Sequence, residues 1–134
     1  MKLLLDTHLL IWSAIGDETV DSLGIMPSAA AKLIDNPENT LFFSVASLWE
    51  VAIKSALRRP EFRVDPRELR RNLLGAGYQE LAISGEHAVQ VAGLAPLHKD
   101  PFDRLLIAQA MVENIVLLTA DRAIARYPGP IRKV

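Results

Sequence analysis

The chain alternates short apolar runs with longer segments of helical periodicity, and this alternation admits few folds. Residues 2–5, 41–44, 78–83 and 115–119 are short runs that read as buried strands, the last an unbroken β-favouring stretch. Helical segments lie between them. Thr7 can cap a helix through about Ile15 that stops near Gly16, and residues 28–34 lie between Pro27 and Pro37. A helix after Ser44 runs to about Arg59, before Pro60. Asp65-Pro66-Arg67-Glu68 supplies a cap, a proline at the first helical position and an acid at the third, which opens a helix ending near Gly75. Ser84 starts another helix to about Gly93. Asp100-Pro101-Phe102-Asp103 starts one to about Asn114, and Asp121 a short last one before an edge strand at 131–134. Strands that alternate with helices in this way build an α/β domain with a mainly parallel sheet.

At 134 residues the chain has the length of one domain, so a single domain over 1–134 is expected. The absence of cysteine removes disulfides, thiolate zinc sites and cysteine nucleophiles together. A net charge of −1 excludes a protein that coats nucleic acid through bulk positive charge. The charge is nevertheless uneven. Residues 1–53 hold two basic and seven acidic side chains and residues 54–134 thirteen and nine, so the two parts carry −5 and +4. Lys54, Arg58, Arg59, Arg63, Arg67, Arg70 and Arg71 form the densest basic run, read either as a solvated helix face or as a contact for phosphate. No stretch is apolar for the ~18 residues that a membrane span needs. Asp6 and His8 interrupt the apolar start where a signal peptide would continue, so a soluble, cytoplasmic protein is expected.

In open parallel sheets ligands bind beyond the carboxyl ends of the strands. Asp6 directly follows the first strand, and Asp121 lies two residues past the 115–119 strand. Glu50 sits one to two turns into the helix after Ser44, and Asp103 in the first turn of the helix before the last buried strand. All four acids can face one sheet edge. Carboxylates crowded there repel one another unless protons or a cation neutralise them, and Mg²⁺ or Mn²⁺ suits oxygen donors. Each acid also has a structural reading. Ser47-Leu48-Trp49-Glu50 fits a capping box, Asp100 and Asp103 fit a helix start, and Asp121 fits an N-cap. Asp6 resists such a reading, because a carboxylate straight after a buried strand is costly without a partner.

Leu5-Asp6-Thr7-His8, then Ser44-Val45-Ala46-Ser47-Leu48-Trp49-Glu50, His98-Lys99-Asp100-Pro101-Phe102-Asp103-Arg104 and Leu118-Thr119-Ala120-Asp121 occur in that order. Together they resemble the PIN-domain ribonucleases of the VapC toxin family, from Leu3 to about Tyr127. The resemblance implies an α/β/α sandwich and a site in which Asp6, Glu50, Asp103 and Asp121 hold Mg²⁺ or Mn²⁺. It implies supporting hydroxyls at Thr119, and at Thr7 and Ser44 beside their neighbouring acids, with a less defined part for Asp100. It further implies an RNA substrate, a homodimer, and inhibition by a VapB-type antitoxin whose tail lies across the groove.

Such an enzyme hydrolyses the phosphodiester with water, so it needs no histidine pair. His8 and His98 are read as hydrogen-bonded structural residues before substrate contacts, Trp12 and Trp49 as core before platforms for stacked bases, and Arg104 as a local ion pair or a guide for phosphate. Two alternatives stay open. A phosphatase with Asp6 as nucleophile would carry a second acid two residues on, where this chain has His8. A PIN-like scaffold that only binds RNA or protein would be expected to have lost some of the acids, and all four are present.

Overall fold

A computed structural model describes residues 1–14, 26–60 and 62–134. Its strands are β1 (Lys2–Leu5), β2 (Thr40–Ser44), β3 (Gln79–Leu81), β4 (Val116–Thr119) and β5 (Ile131–Lys133). Its helices are α1 (Thr7–Ala14), α2 (Ser28–Asp35), α3 (Val45–Ala56), α4 (Pro66–Gly75), α5 (Gly85–Val91), α6 (Pro101–Glu113) and α7 (Arg122–Ala125). The expected end of the first helix near Gly16 lies outside the described residues.

The strands pair in the order β3-β2-β1-β4-β5, and all four pairings are parallel. The expected mainly parallel sheet is therefore present, with β1 at its centre. From β1 the chain first builds outward through β2 and β3, then crosses to the other side for β4 and β5. Register places Leu4 opposite Phe42 of β2 and Leu117 of β4. The direction of winding reverses between β1 and β4, and at such a reversal the loops after the two strands part and leave a crevice.

Alternation along the strands divides the core in two. Leu3, Leu5 and Leu118 face one layer with Leu9, Leu10, Val51, Leu69 and Leu73. Leu4 and Leu117 face the other with Leu106, Ile107, Ala110, Ile124 and Tyr127. Helices thus cover both faces, giving the expected α/β/α sandwich. Each fully buried leucine contributes roughly 2 kcal/mol by leaving water.

Where elements differ from the sequence reading, backbone hydrogen bonding decides. The strand expected over 78–83 is only Gln79–Leu81. The Tyr78 amide closes the C-terminal turn of α4 by donating to Leu73 O, after Gly77 at φ 89°, and cannot serve the sheet. At the other end the Ser84 amide donates to His87 Nδ1. Helix α3 stops at Ala56 rather than near Arg59 because Arg58 takes a left-handed conformation, φ 52°. Asn114, also left-handed, ends α6, and Asn tolerates that region better than most residues.

Candidate active site

Four of the cleft residues, Asp6, Asp100, Asp103 and Asp121, lie just past strand ends or at helix starts, where local capping chemistry places them. Asp6 leaves β1 and takes the Leu9 amide of α1 on Oδ1, 3.0 Å away. Asp100 caps α6 by accepting from the amides of Phe102 and Asp103, as its sequence context suggested. Asp103 follows in the first turn. Asp121 caps α7 through the Ala123 amide at 2.7 Å. Thr7, Glu50, His8, Lys54, His98 and Ile124 join these acids around a cleft of about 260 Å³. All four carboxylates read from the sequence therefore line one cavity, at the reversal between β1 and β4.

They are not equivalent within it. Asp6 is only 4% exposed, and its Oδ2 accepts the Thr119 hydroxyl at 2.5 Å. Thr119 Oγ1 also accepts the Asp121 amide at 3.0 Å, so one hydroxyl ties the two acids across neighbouring strands. Glu50 is buried too. Its Oε1 accepts from the Thr7 hydroxyl at 2.9 Å, and its Oε2 meets Lys54 Nζ at 2.8 Å. Asp103 Oδ2 lies 2.8 Å from His98 Nε2. Donor atoms of His98, Asp103 and Asp121 lie within 4.8 Å of one another.

Burial pushes the Asp6 carboxyl above the usual carboxylate range and Asp121 adds to the rise, while Thr119, the Leu9 amide and His8 oppose it. Burial likewise lifts Asp103 to about 6. The charges of Asp100 and Glu50 add to that rise, and His98 works against it. A pocket that makes carboxylates hold protons is short of positive charge. Carboxylate oxygens with one imidazole nitrogen form a donor set that suits a divalent cation, so the residues fit such an ion.

Four expectations need correction. The capping box at Ser47 and Glu50 does not form. Strand β2 runs straight into α3, Ser44 is the cap through the Ala46 amide, and Ser47 is a buried residue inside the helix, 3.0 Å from Thr7 Oγ1. Ser44 does not support an acid either, since its hydroxyl donates to Gln109 Oε1 of α6. Among the described residues Arg104 forms no ion pair, and it does not line the cleft. Its guanidinium donates to the carbonyls of Val91, Ala95 and His98 and to the Tyr127 hydroxyl. Trp49 is not core. It is 55% exposed and stands edge-on to Phe102, with ring centres 5.1 Å apart.

The profile of the PIN domain family matches residues 3–130. The chain belongs to the PIN domain family. No curated protein matches this PIN domain in sequence. Solved structures resemble it closely in fold at low identity. A chain of VapBC2 from Rickettsia felis, solved bound to a fragment of promoter DNA, superposes with a TM-score of 0.70 at 15% identity. That match covers 100% of this chain and 99% of the other. DNA-bound VapBC from Salmonella typhimurium gives 0.64 at 18% identity, covering 99% and 98%. VapBC-1 from nontypeable Haemophilus influenzae gives 0.62 at 18%, with the same coverage.

Lys54 and His98 of the cleft, and Ser47 behind it against Thr7, escape the sequence reading as parts of a site. Lys54 was grouped with a basic run, although its spacing of four from Glu50 is the signal for an ion pair across one helical turn. Ser47 reads from the sequence as a cap, and His98 as a structural residue. Of the other basic residues, Arg70 pairs with Glu80, with Nε 2.6 Å from Oε2.

Proposed function

We propose that this PIN domain is a divalent-metal-dependent endoribonuclease, the toxin of a VapC type that a VapB-type antitoxin neutralises. The observation that carries the reading is the convergence of Asp6, Glu50, Asp103 and Asp121 on one cleft, with two of them held above their ordinary protonation range. Family membership supports nuclease chemistry over the phosphatase alternative, and a cluster that raises carboxyl pKa values supports a cation site over a passive scaffold.

In this reading Asp103 and Asp121 hold the ion with Asp6, and Glu50 acts beside them. Mg²⁺ or Mn²⁺ is the cofactor. When bound, such a cation acidifies water and neutralises charge that builds on phosphoryl oxygens. The chain supplies the alignment. Thr119 fixes Asp6 against Asp121, and Thr7 with Ser47 fixes Glu50, so the acids need little rearrangement as substrate enters. Lys54, whose side chain is 45% exposed, offers the cleft a cation for a phosphate. Water attacks phosphorus in line and the ribose 3′-oxygen leaves, which yields 5′-phosphate and 3′-hydroxyl ends. The 2′-hydroxyl takes no part, in keeping with a cleft whose His98 faces a carboxylate.

The same reading assigns the partners. The solved neighbours include VapBC assemblies and a toxin–antitoxin complex from Klebsiella pneumoniae, which supports an antitoxin as partner; the same reading takes the toxin to be a homodimer that acts in the cytoplasm. No helix among the described residues is long and apolar enough to cross a membrane.

Incubation of the full chain with mixed RNA in Mg²⁺ or Mn²⁺ tests the proposal. Cleavage stops in EDTA and returns with either ion, and Asp6→Asn and Asp103→Asn are inactive with unchanged circular dichroism. Undiminished cleavage in EDTA, or normal rates in either variant, removes the assignment.

A further inference from the structure

The donor set that lies closest together in the cleft is not the four acids. It is Asp103, Asp121 and an imidazole, His98. Building on the cation site proposed above, we propose that His98 Nε2 is a ligand of that ion beside Asp103 and Asp121, and that this mixed nitrogen–oxygen site favours Mn²⁺ over Mg²⁺.

The spacing supports ligation. Two donors at right angles on an ion with bonds of about 2.1 Å sit about 3.0 Å apart, and opposite donors about 4.2 Å apart. His98 Nε2 and Asp103 Oδ2 are 2.8 Å apart, close to the right-angle spacing, and the donor atoms of the triad lie within 4.8 Å of one another, so that small side-chain shifts bring Asp121 onto the same ion. One ion can therefore replace the proton that the pair now shares. Ligation needs the neutral imidazole with its hydrogen on Nδ1.

The ring is also delivered by a built support. The His98 amide donates to the Tyr127 hydroxyl at 3.0 Å, and the His98 carbonyl accepts from Arg104 at 3.3 Å. The same guanidinium holds the carbonyls of Val91 and Ala95, and the Tyr127 hydroxyl takes the Leu97 amide and donates to Ala95 O. Both ends of the residue are thus anchored, one to α6, which bears Asp103, and one to Tyr127 just beyond α7, the helix that follows Asp121. Rigid presentation of this kind is what a ligand requires. The other histidines are differently placed. His87 is 1% exposed and spends Nδ1 on the Ser84 amide and Nε2 on Glu113. His8 lines the cleft but stands outside the triad.

Selectivity follows from the donor. Imidazole suits transition metals, whereas Mg²⁺ prefers oxygen throughout its shell. Loss of the nitrogen therefore weakens Mn²⁺ binding and leaves Mg²⁺ binding nearly unchanged.

The test is pulsed electron paramagnetic resonance of Mn²⁺ on the full chain, with calorimetric titration of Mn²⁺ and Mg²⁺. Directly bound imidazole nitrogen gives a ¹⁴N modulation. We expect that signal in the native chain and in His8→Asn, and its loss in His98→Asn and His98→Gln. Mn²⁺ affinity in those two variants falls about tenfold or more, with less than a threefold change for Mg²⁺. Mn²⁺ that binds in a manner abolished by Asp103→Asn but without a nitrogen signal overturns the role of His98 and leaves the cation site standing. Transfer of the signal's dependence to His8, or equal loss of both metals in the His98 variants, also overturns it. Mn²⁺ binding that is unaffected by Asp103→Asn overturns the site itself.

Discussion

The Thr119 hydroxyl donates to Asp6 across two adjacent strands while it accepts the backbone amide of Asp121. A single buried oxygen, 0% exposed with its side chain, thus sets the distance between the acid after β1 and the acid after β4. Thr119→Val keeps the shape and deletes both bonds. It leaves a buried carboxylate without its donor and an amide without its acceptor, so it costs about 1–3 kcal/mol. Urea unfolding measures this, with Thr119→Ser remaining close to the native chain. A threonine that could be replaced by valine at no cost would have no such role.

Asp6 itself behaves differently on substitution. Asp6→Asn removes a charge that burial disfavours, but it also trades one of two acceptor oxygens for an amide group. The two effects oppose, and the melting temperature in EDTA stays within a few degrees. RNA cleavage by contrast falls by more than the roughly 10–100-fold typical of residues behind a metal site. Parallel melting and cleavage assays on one preparation separate the two quantities.

Asp103 makes the stability of the metal-free chain depend on pH. Its pKa of about 6 in the folded state lies above the ordinary 3.8, so the folded chain binds more protons than the unfolded chain between these values. The stabilisation is complete below about 4 and is lost as pH rises through 6. The change is about 1–2 kcal/mol once solvent screening is allowed for. Thermal melts in EDTA between pH 4.5 and 7.5 should decline along this range, and Asp103→Asn should flatten the decline. Addition of Mn²⁺ at pH 7.5 should restore the native chain and not the variant.

Tyr127→Phe examines the support behind His98. The hydroxyl serves two amides, the carbonyl of Ala95 and the Arg104 guanidinium. Its removal leaves part-buried donors unsatisfied and costs about 1–3 kcal/mol. Hydrogen exchange should speed at the Leu97 and His98 amides before it does so in β4. Uniform protection in the variant would assign the loop's order to other contacts.

The sheet and three of the acids, Asp6, Asp103 and Asp121, are legible because their signals are local, while Glu50 inside α3 is placed by the helix that follows β2. A buried run marks each strand, and an acid next to a strand end or at a helix start is placed by the backbone that it caps. Residues that act at a distance left weaker traces. Nothing adjacent to Arg104 in sequence announces that its guanidinium closes the loop at Val91, Ala95 and His98. Ser44 and Ser47 both precede plausible helix starts, and only the lack of any loop between β2 and α3 selects the first. Trp49 was misplaced because α3 is apolar on most of its surface. Periodicity cannot tell which side meets the sheet when Val51 is buried and Trp49, Ile53 and Leu57 all remain exposed.

The central position of β1 carries a consequence for synthesis. Strand β1 is made well before its neighbour β4, although the two pair with Leu5 beside Leu118. A chain still on the ribosome and lacking its last quarter has no Thr119 to fasten Asp6 and no Asp121 to complete the acid cluster. Long-range pairing of this sort must wait for the missing partner. If the proposed function holds, activity therefore waits for the synthesis of β4 and α7, an interval in which a freshly made inhibitor can already be present.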